Sequence, residues 1–210
     1  IYEGEKDKEH LVRVEFSNGE KQFYEGEKYK EHLVLFHHPD GTKKIYEGEK
    51  NKEHLVHIEF PDGVKAFFKG EKNKEHKVIE ENPNGSRAFF EGKINFEHLI
   101  LIENPDGRKY FYEGERNKEH IVKIKHIDGS IAFFKGKKNE EHLIRSEYPD
   151  GYKKFYEGQK DFEHLIRREL PDGIKENFKG KRYKEYLVNV ELTNGVKHFF
   201  KGVRNKEYLI

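Results

Sequence analysis

Apolar and polar residues alternate along this chain in short runs, each closed by a polar cluster that holds a glycine, and the whole pattern returns every 22 residues. Numbered from Ile1, one unit reads F-Y-E-G-E-K-N-K-E-H-L-V-x-I-E-F-P-D-G-x-K-x. Nine units fill residues 1–198 and a partial unit fills 199–210, forming one array without insertion or deletion. All 19 glycines fall in two series with this spacing, Gly4 to Gly202 and Gly19 to Gly195. Alternation bounded by turn residues predicts strands, and a fixed period of roughly 20 to 50 residues predicts a stacked array.

The clearest turn is Pro61-Asp62-Gly63, repeated at Pro105-Asp106-Gly107, Pro149-Asp150-Gly151 and Pro171-Asp172-Gly173, with Asn in the middle place at Asn18, Asn84 and Asn194. Proline presets φ for a type I turn, Asp or Asn suits the next place, and glycine takes the left-handed position that closes a hairpin. A three-residue turn of this kind sets position 16 opposite 20, 15 opposite 21 and 14 opposite 22. That register places Glu15 across from Lys21, Glu59 from Lys65, Glu81 from Arg87, Glu103 from Lys109, Glu147 from Lys153, Glu169 from Lys175 and Glu191 from Lys197. Opposite charges facing each other across a ladder support this register, and a slip of one residue loses every pair.

Alternation then assigns the faces. Tyr2, Val12, Val14 and Phe16, with Gly4 and His10 beside them, are expected on an apolar face. The Glu/Lys pairs share the other face with Leu11 and the aromatic row Phe23, Phe67, Phe89, Phe111, Phe133, Phe155 and Phe199. E-K-N-K-E is the second connection, expected to contain three loop residues. The predicted fold is all-β: tandem 22-residue β-hairpins stacked into an elongated, twisted or coiled antiparallel meander of about 19 or 20 strands. A parallel β-solenoid is the alternative. It would stack Glu9, Glu31 and their equivalents about 4.8 Å apart as an unbroken anionic column, whereas hairpins double the gap to about 9.6 Å, near the Debye length.

Composition narrows the class. Charged residues make 39% and hydrophobic ones 33%, so a large single core is not expected. The share of Leu, Ile, Val and Phe, about a quarter, is still too high for a disordered tail. No apolar run is long enough to span a membrane and no secretory signal opens the sequence, so the chain reads as cytoplasmic and not transmembrane. Cysteine is absent, which removes disulfides and thiolate chemistry. Methionine is absent even at position 1, and the array starts and stops within strand patterns, so these residues read as an excerpt of a longer chain.

Y-E-G-E near the start and P-D-G near the end of each unit resemble MORN repeats, whose units run Y-x-G-x-W-x-x-G and finish with a similar P-D-G. The likeness spans the chain, with two departures: the tryptophan is missing, and K-E-H-L-V replaces the middle glycines in a unit one residue shorter. The resemblance implies a stacked hairpin array used as a scaffold, a membrane-proximal organiser or an assembly platform, as in repeat arrays of giant-virus and protist proteins.

Candidate chemistry is sparse. His10, His32, His54, His76, His98, His120, His142 and His164 recur after a glutamate, but metal ligands lie within about 2.2 Å of an ion and neighbouring repeats stand about 10 Å apart. Tyr186 and Tyr208 occupy the same place, so the position reads as a flat ring lying over a cross-strand glycine such as Gly4. The invariant Glu9 and Glu31 series reads as carboxylates accepting backbone N–H groups beside a turn or pairing with lysine. Gly4, Glu9, His10 and Gly19, with Gly26, Glu31, His32 and Gly41, are therefore structural repeat positions. No catalytic, metal or cofactor site, small-molecule substrate or nucleic-acid footprint is expected, since the net charge is only +1 and no nucleophile or phosphate-loop motif occurs.

Exceptions to the repeat point to partners instead. Tyr29, Ile94, Phe96, Phe162 and Tyr183 replace polar residues in the E-K-N-K-E turn, all on one rim. Charge is also uneven: residues 1–44 carry 8 basic and 10 acidic groups, residues 177–210 carry 8 and 3. The expected function is a non-catalytic scaffold that contacts proteins or itself. A peripheral module for anionic lipid is the alternative, and a histidine-based binder responsive to pH or metal is the second alternative.

Overall fold

The computed structural model describes residues 1–210 and contains only strands and turns. Contacts divide the chain into two compact units, Ile1–Pro105 and Asp106–Ile210. In the first, a small ribbon of Tyr2–Glu3 and His10–Leu11 precedes Arg13–Glu15, and then five-residue and six-residue strands alternate from Lys21–Glu25 and His32–His37 to Arg87–Glu91 and His98–Glu103. In the second, the same alternation runs from Lys109–Glu113 and His120–Lys125 to Lys197–Lys201, ending at Tyr208–Leu209. Beyond the separate ribbon of Tyr2–Glu3 and His10–Leu11, the strands of each unit pair antiparallel with their neighbours in sequence, so each sheet is a meander of tandem hairpins and is not closed into a barrel. Antiparallel pairing overturns the solenoid alternative and sets the invariant glutamates two strands apart.

The first turn forms as its residues dictate. Phe16 N–H donates to Glu20 C=O at 2.9 Å and Gly19 N–H to Phe16 C=O at 3.0 Å. In all nine turns the Asp or Asn side chain accepts the backbone N–H two residues on, at 2.8–3.1 Å. Proline has a second use that the turn rule does not reveal: a Cβ on Gly19, Gly41 or Gly63 would lie 3.5, 3.5 or 3.1 Å from the ring Cγ of Pro39, Pro61 or Pro83 in the next repeat. Each P-D-G turn thus stacks on the one before. The expected register holds, with Glu15 opposite Lys21 and Glu59 opposite Lys65. It also continues on the far side of each strand, where Lys43 meets Glu59 at 3.5 Å and Lys175 meets Glu191 at 3.7 Å.

The second connection departs from expectation. Six residues, Gly26 to Glu31, separate Glu25 from His32, and a bulge follows: Phe23 pairs with Leu35 but Tyr24 with Leu33, leaving Val34 without an opposite residue. The same shift recurs in the following repeats. An extra residue reverses the alternation. The five-residue strand alternates without interruption, so Leu33 shares the face of Tyr24 and Gln22, and His32 shares the face of Glu25, Phe23 and Lys21. The expected faces of Leu11 and His10 are therefore exchanged. A Cβ on Gly4 would meet the carbonyl oxygen of Lys8 at 2.9 Å, within its own turn.

The sheets are thin. Ala66 at 3% and Ala132 at 8% exposure are the buried apolar residues, and no large side chain is fully enclosed. The accessible surface is 14119 Å², whereas two globular units of half this mass would expose only about 12,000 Å² together. No second layer covers the faces. Cations lie over the aromatic row instead, with Lys123 at 3.8 Å from the Phe111 ring, Arg145 at 4.1 Å from Phe133 and Arg167 at 4.2 Å from Phe155.

Candidate interaction rim

E-K-N-K-E closes as a tight turn in which Lys30 N–H donates to Glu27 C=O at 2.8 Å, with the residue at position 7 left-handed. Asn or Asp takes this conformation at Asp7, Asn51, Asn73, Asn95, Asn117, Asn139, Asp161 and Asn205, and such side chains tolerate it. Tyr29 at φ 68° and Tyr183 at φ 64° adopt it without that tolerance.

Two side chains tie successive turns: the position-6 residue where it is a cation, which Ile94 is not, and the invariant glutamate. The position-6 cation reaches the position-7 carbonyl of the preceding repeat: Lys28 Nζ to Asp7 O at 3.2 Å, Lys50 to Tyr29 O at 3.0 Å, Lys138 to Asn117 O at 3.0 Å and Lys160 to Asn139 O at 3.0 Å. Arg182 and Arg204 make the same bond to Asp161 and Tyr183. The invariant glutamate accepts an N–H that the bulged strand leaves open, as in Leu11 N–H to Glu31 Oε1 at 3.3 Å and Leu55 N–H to Glu75 Oε1 at 3.1 Å. Its other oxygen faces the next repeat's lysine, with Lys50 3.7 Å from Glu31 and Lys72 3.2 Å from Glu53. Sequence reasoning anticipated backbone acceptance here, but not that it joins one repeat to another. The carboxyl of Glu31 is held below its ordinary range by its own backbone N–H first, against burial, and then by the Leu11 and Tyr29 amides and Lys50. Glu53 is lowered as well: burial pushes it up, and its backbone amide bonds and Lys72 outweigh that.

On this tied rim the five exceptional residues stand free of the sheet: Tyr29 is 78% exposed, Phe96 75%, Phe162 72%, Tyr183 69% and Ile94 41%. Tyr29, Ile94 and Phe96 belong to the first unit, Phe162 and Tyr183 to the second. Tyr29 walls a groove of about 910 Å³ whose other sides include Glu5, Asp7, Glu27 and His10. Tyr183 and Arg182 flank a smaller groove of about 260 Å³ with Leu143, Leu165 and Tyr156 as its apolar lining. A further exposed apolar residue, Ile127 at 67%, occupies the proline place of a P-D-G turn on the opposite rim, an exception visible in the sequence and not singled out from it. The His10 series supplies one side chain per repeat, and no three His, Asp or Glu side chains converge on a common point.

No family profile matches this chain, and no curated protein matches it. Solved structures similar to it include the TCP10 domain of Danio rerio CPAP in complex with a peptide of STIL, at 17% identity and TM-score 0.34 over 100% of this chain and 96% of that one. The SAS-4 (dCPAP) TCP domain of Drosophila melanogaster, in complex with a proline-rich motif of Ana2 (dSTIL), follows at 14% identity and TM-score 0.39 over 90% and 89%.

Proposed function

We propose that this chain is a non-catalytic repeat scaffold that contacts other proteins, or further copies of itself, through the exposed side chains of its E-K-N-K-E turns. One observation carries the reading: six large apolar side chains, those five and Val203, 41–78% exposed, interrupt turns that are otherwise polar. Exposed aromatic groups on pre-ordered backbone bind at low entropic cost, which suits contact hot spots. A sheet without a second layer offers few enclosed places for chemistry and much surface for contact.

A five-site variant, Tyr29→Asn, Ile94→Lys, Phe96→Lys, Phe162→Lys and Tyr183→Asn, installs at each place a residue that other repeats already carry. The protein and this variant are immobilised separately, challenged with cell extract and compared by quantitative mass spectrometry, alongside sedimentation velocity of each. Proteins or oligomers held by the native chain and lost about tenfold by the variant support the reading. Equal retention of every partner, with unchanged sedimentation, overturns it.

A further inference from the structure

We propose that the last two E-K-N-K-E turns, residues 181–185 and 203–207, with Lys179 and Lys201 at the ends of the strands before them and the groove beside Tyr183, form a docking site for an acidic peptide segment that carries one apolar side chain. The inference rests on the reading of this rim as a protein-contact surface and names the partner chemistry at one part of it.

Charge complementarity identifies the occupant. Lys179, Lys181, Lys184, Lys201 and Lys206 are exposed, and no carboxylate pairs with them. By contrast, Lys8, Lys30, Lys52 and Lys74 in the earlier turns lie 3.4–3.8 Å from a glutamate three residues before them. The acids of the last two turns, Glu185 and Glu207, are engaged by the backbone N–H groups of Leu165 and Leu187 at 3.3 and 3.2 Å. A run of cations without counter-charges is therefore held on backbone that two inter-repeat bonds make rigid, those from Arg182 to Asp161 and from Arg204 to Tyr183.

The groove supplies the apolar element. Its volume of about 260 Å³ exceeds the roughly 150 Å³ of a cavity that accepts benzene. Leu143, Leu165 and Tyr156 line it, and Arg182, 4.8 Å from the centre of the Tyr183 ring, forms its mouth. Glu163 and Glu185 also line it. Their carboxylates disfavour a continuous sheet of phosphates, such as a lipid surface or a nucleic-acid backbone, and leave room for a peptide that places carbon there and its carboxylates beyond. Tyr183 adds an independent sign: it keeps a left-handed backbone that Asn would hold more easily, and it is 69% exposed, so intramolecular packing does not account for it.

Fluorescence anisotropy at low salt, with a labelled peptide in which a single leucine precedes a run of Glu and Asp, tests this on the full chain. Binding is expected, weakened about tenfold by Lys181→Glu with Lys184→Glu and weakened by replacing the peptide's leucine with serine. Tyr183→Asn is expected to weaken binding while raising the melting temperature, so its loss cannot be attributed to unfolding. No binding overturns the inference. So does binding that ignores both the leucine and Tyr183, or tighter binding to anionic phospholipid vesicles or single-stranded DNA. If the peptide fails while the five-site variant still loses partners from extract, the acidic-peptide inference falls and the rim reading stands.

Discussion

Tyr29 and Tyr183 show how one backbone dihedral separates residues that serve the fold from residues that do not. At position 7 the chain needs φ near +65°, and Asn or Asp supplies it in eight of the ten turns. Tyr29→Asn is expected to stabilise the protein by about 1 kcal/mol through relief of this strain, seen as a rise in melting temperature. Glycines divide in the same way. A Cβ on Gly70 would stand 2.5 Å from the Lys74 carbonyl oxygen at φ 128°, whereas one on Gly195, at φ 84°, meets nothing within 4 Å. Gly195→Ala should therefore cost about 1–2 kcal/mol and Gly70→Ala about 3 kcal/mol or more, compared by denaturant unfolding. The sequence displayed the aromatic exceptions openly, because ten copies make a substitution visible. It did not display the left-handed dihedral beneath two of them, because Asn in a turn is compatible with several turn types.

At the scale of strands and turns, the P-D-G hairpin was legible and the other connection was not. Proline, Asp and Gly each demand a dihedral or a hydrogen bond, so register followed from them, and the Glu15–Lys21 type of pair confirmed it. The bulge at Val34 and its equivalents rests on no residue that announces it, since valine fits a bulge and a regular strand equally well, and so the faces of Leu11 and His10 were misassigned. The invariant glutamates of the E-K-N-K-E turns give the element its pH dependence. Glu31 and Glu53 have lowered folded-state pKa values, so their contribution is present above the ordinary carboxylate pKa and is lost as pH falls through the lowered one. Melting temperature should hold from neutral pH to the ordinary glutamate range, then fall below it, and Glu53→Gln should flatten that fall. Tyr46 and Tyr156, raised by burial, act at the other end: the neutral form is the stabilising one, so stability should decline as pH rises through their elevated values. Absorbance of tyrosinate, followed alongside circular dichroism, reads this directly.

Over the whole molecule, the bonds described for the turns run between successive repeats: position-6 cation to preceding carbonyl, glutamate to preceding amide, proline over preceding glycine. Such an array is stabilised by nearest-neighbour terms. Excision of residues 45–66, one whole repeat, should leave a cooperative β-sheet spectrum with a modest drop in melting temperature, whereas excision of 45–55, half a repeat, should abolish folding by inverting every later face. The neighbour-only bonding also makes the array a graduated rule. Within a unit, each added or removed repeat shifts the strands beyond it by about 9.6 Å, the width of two strands, without altering any local geometry. The distance between Tyr29 and Phe96 is then set by copy number rather than by side-chain chemistry, and a partner that grips both side chains is in effect counting repeats.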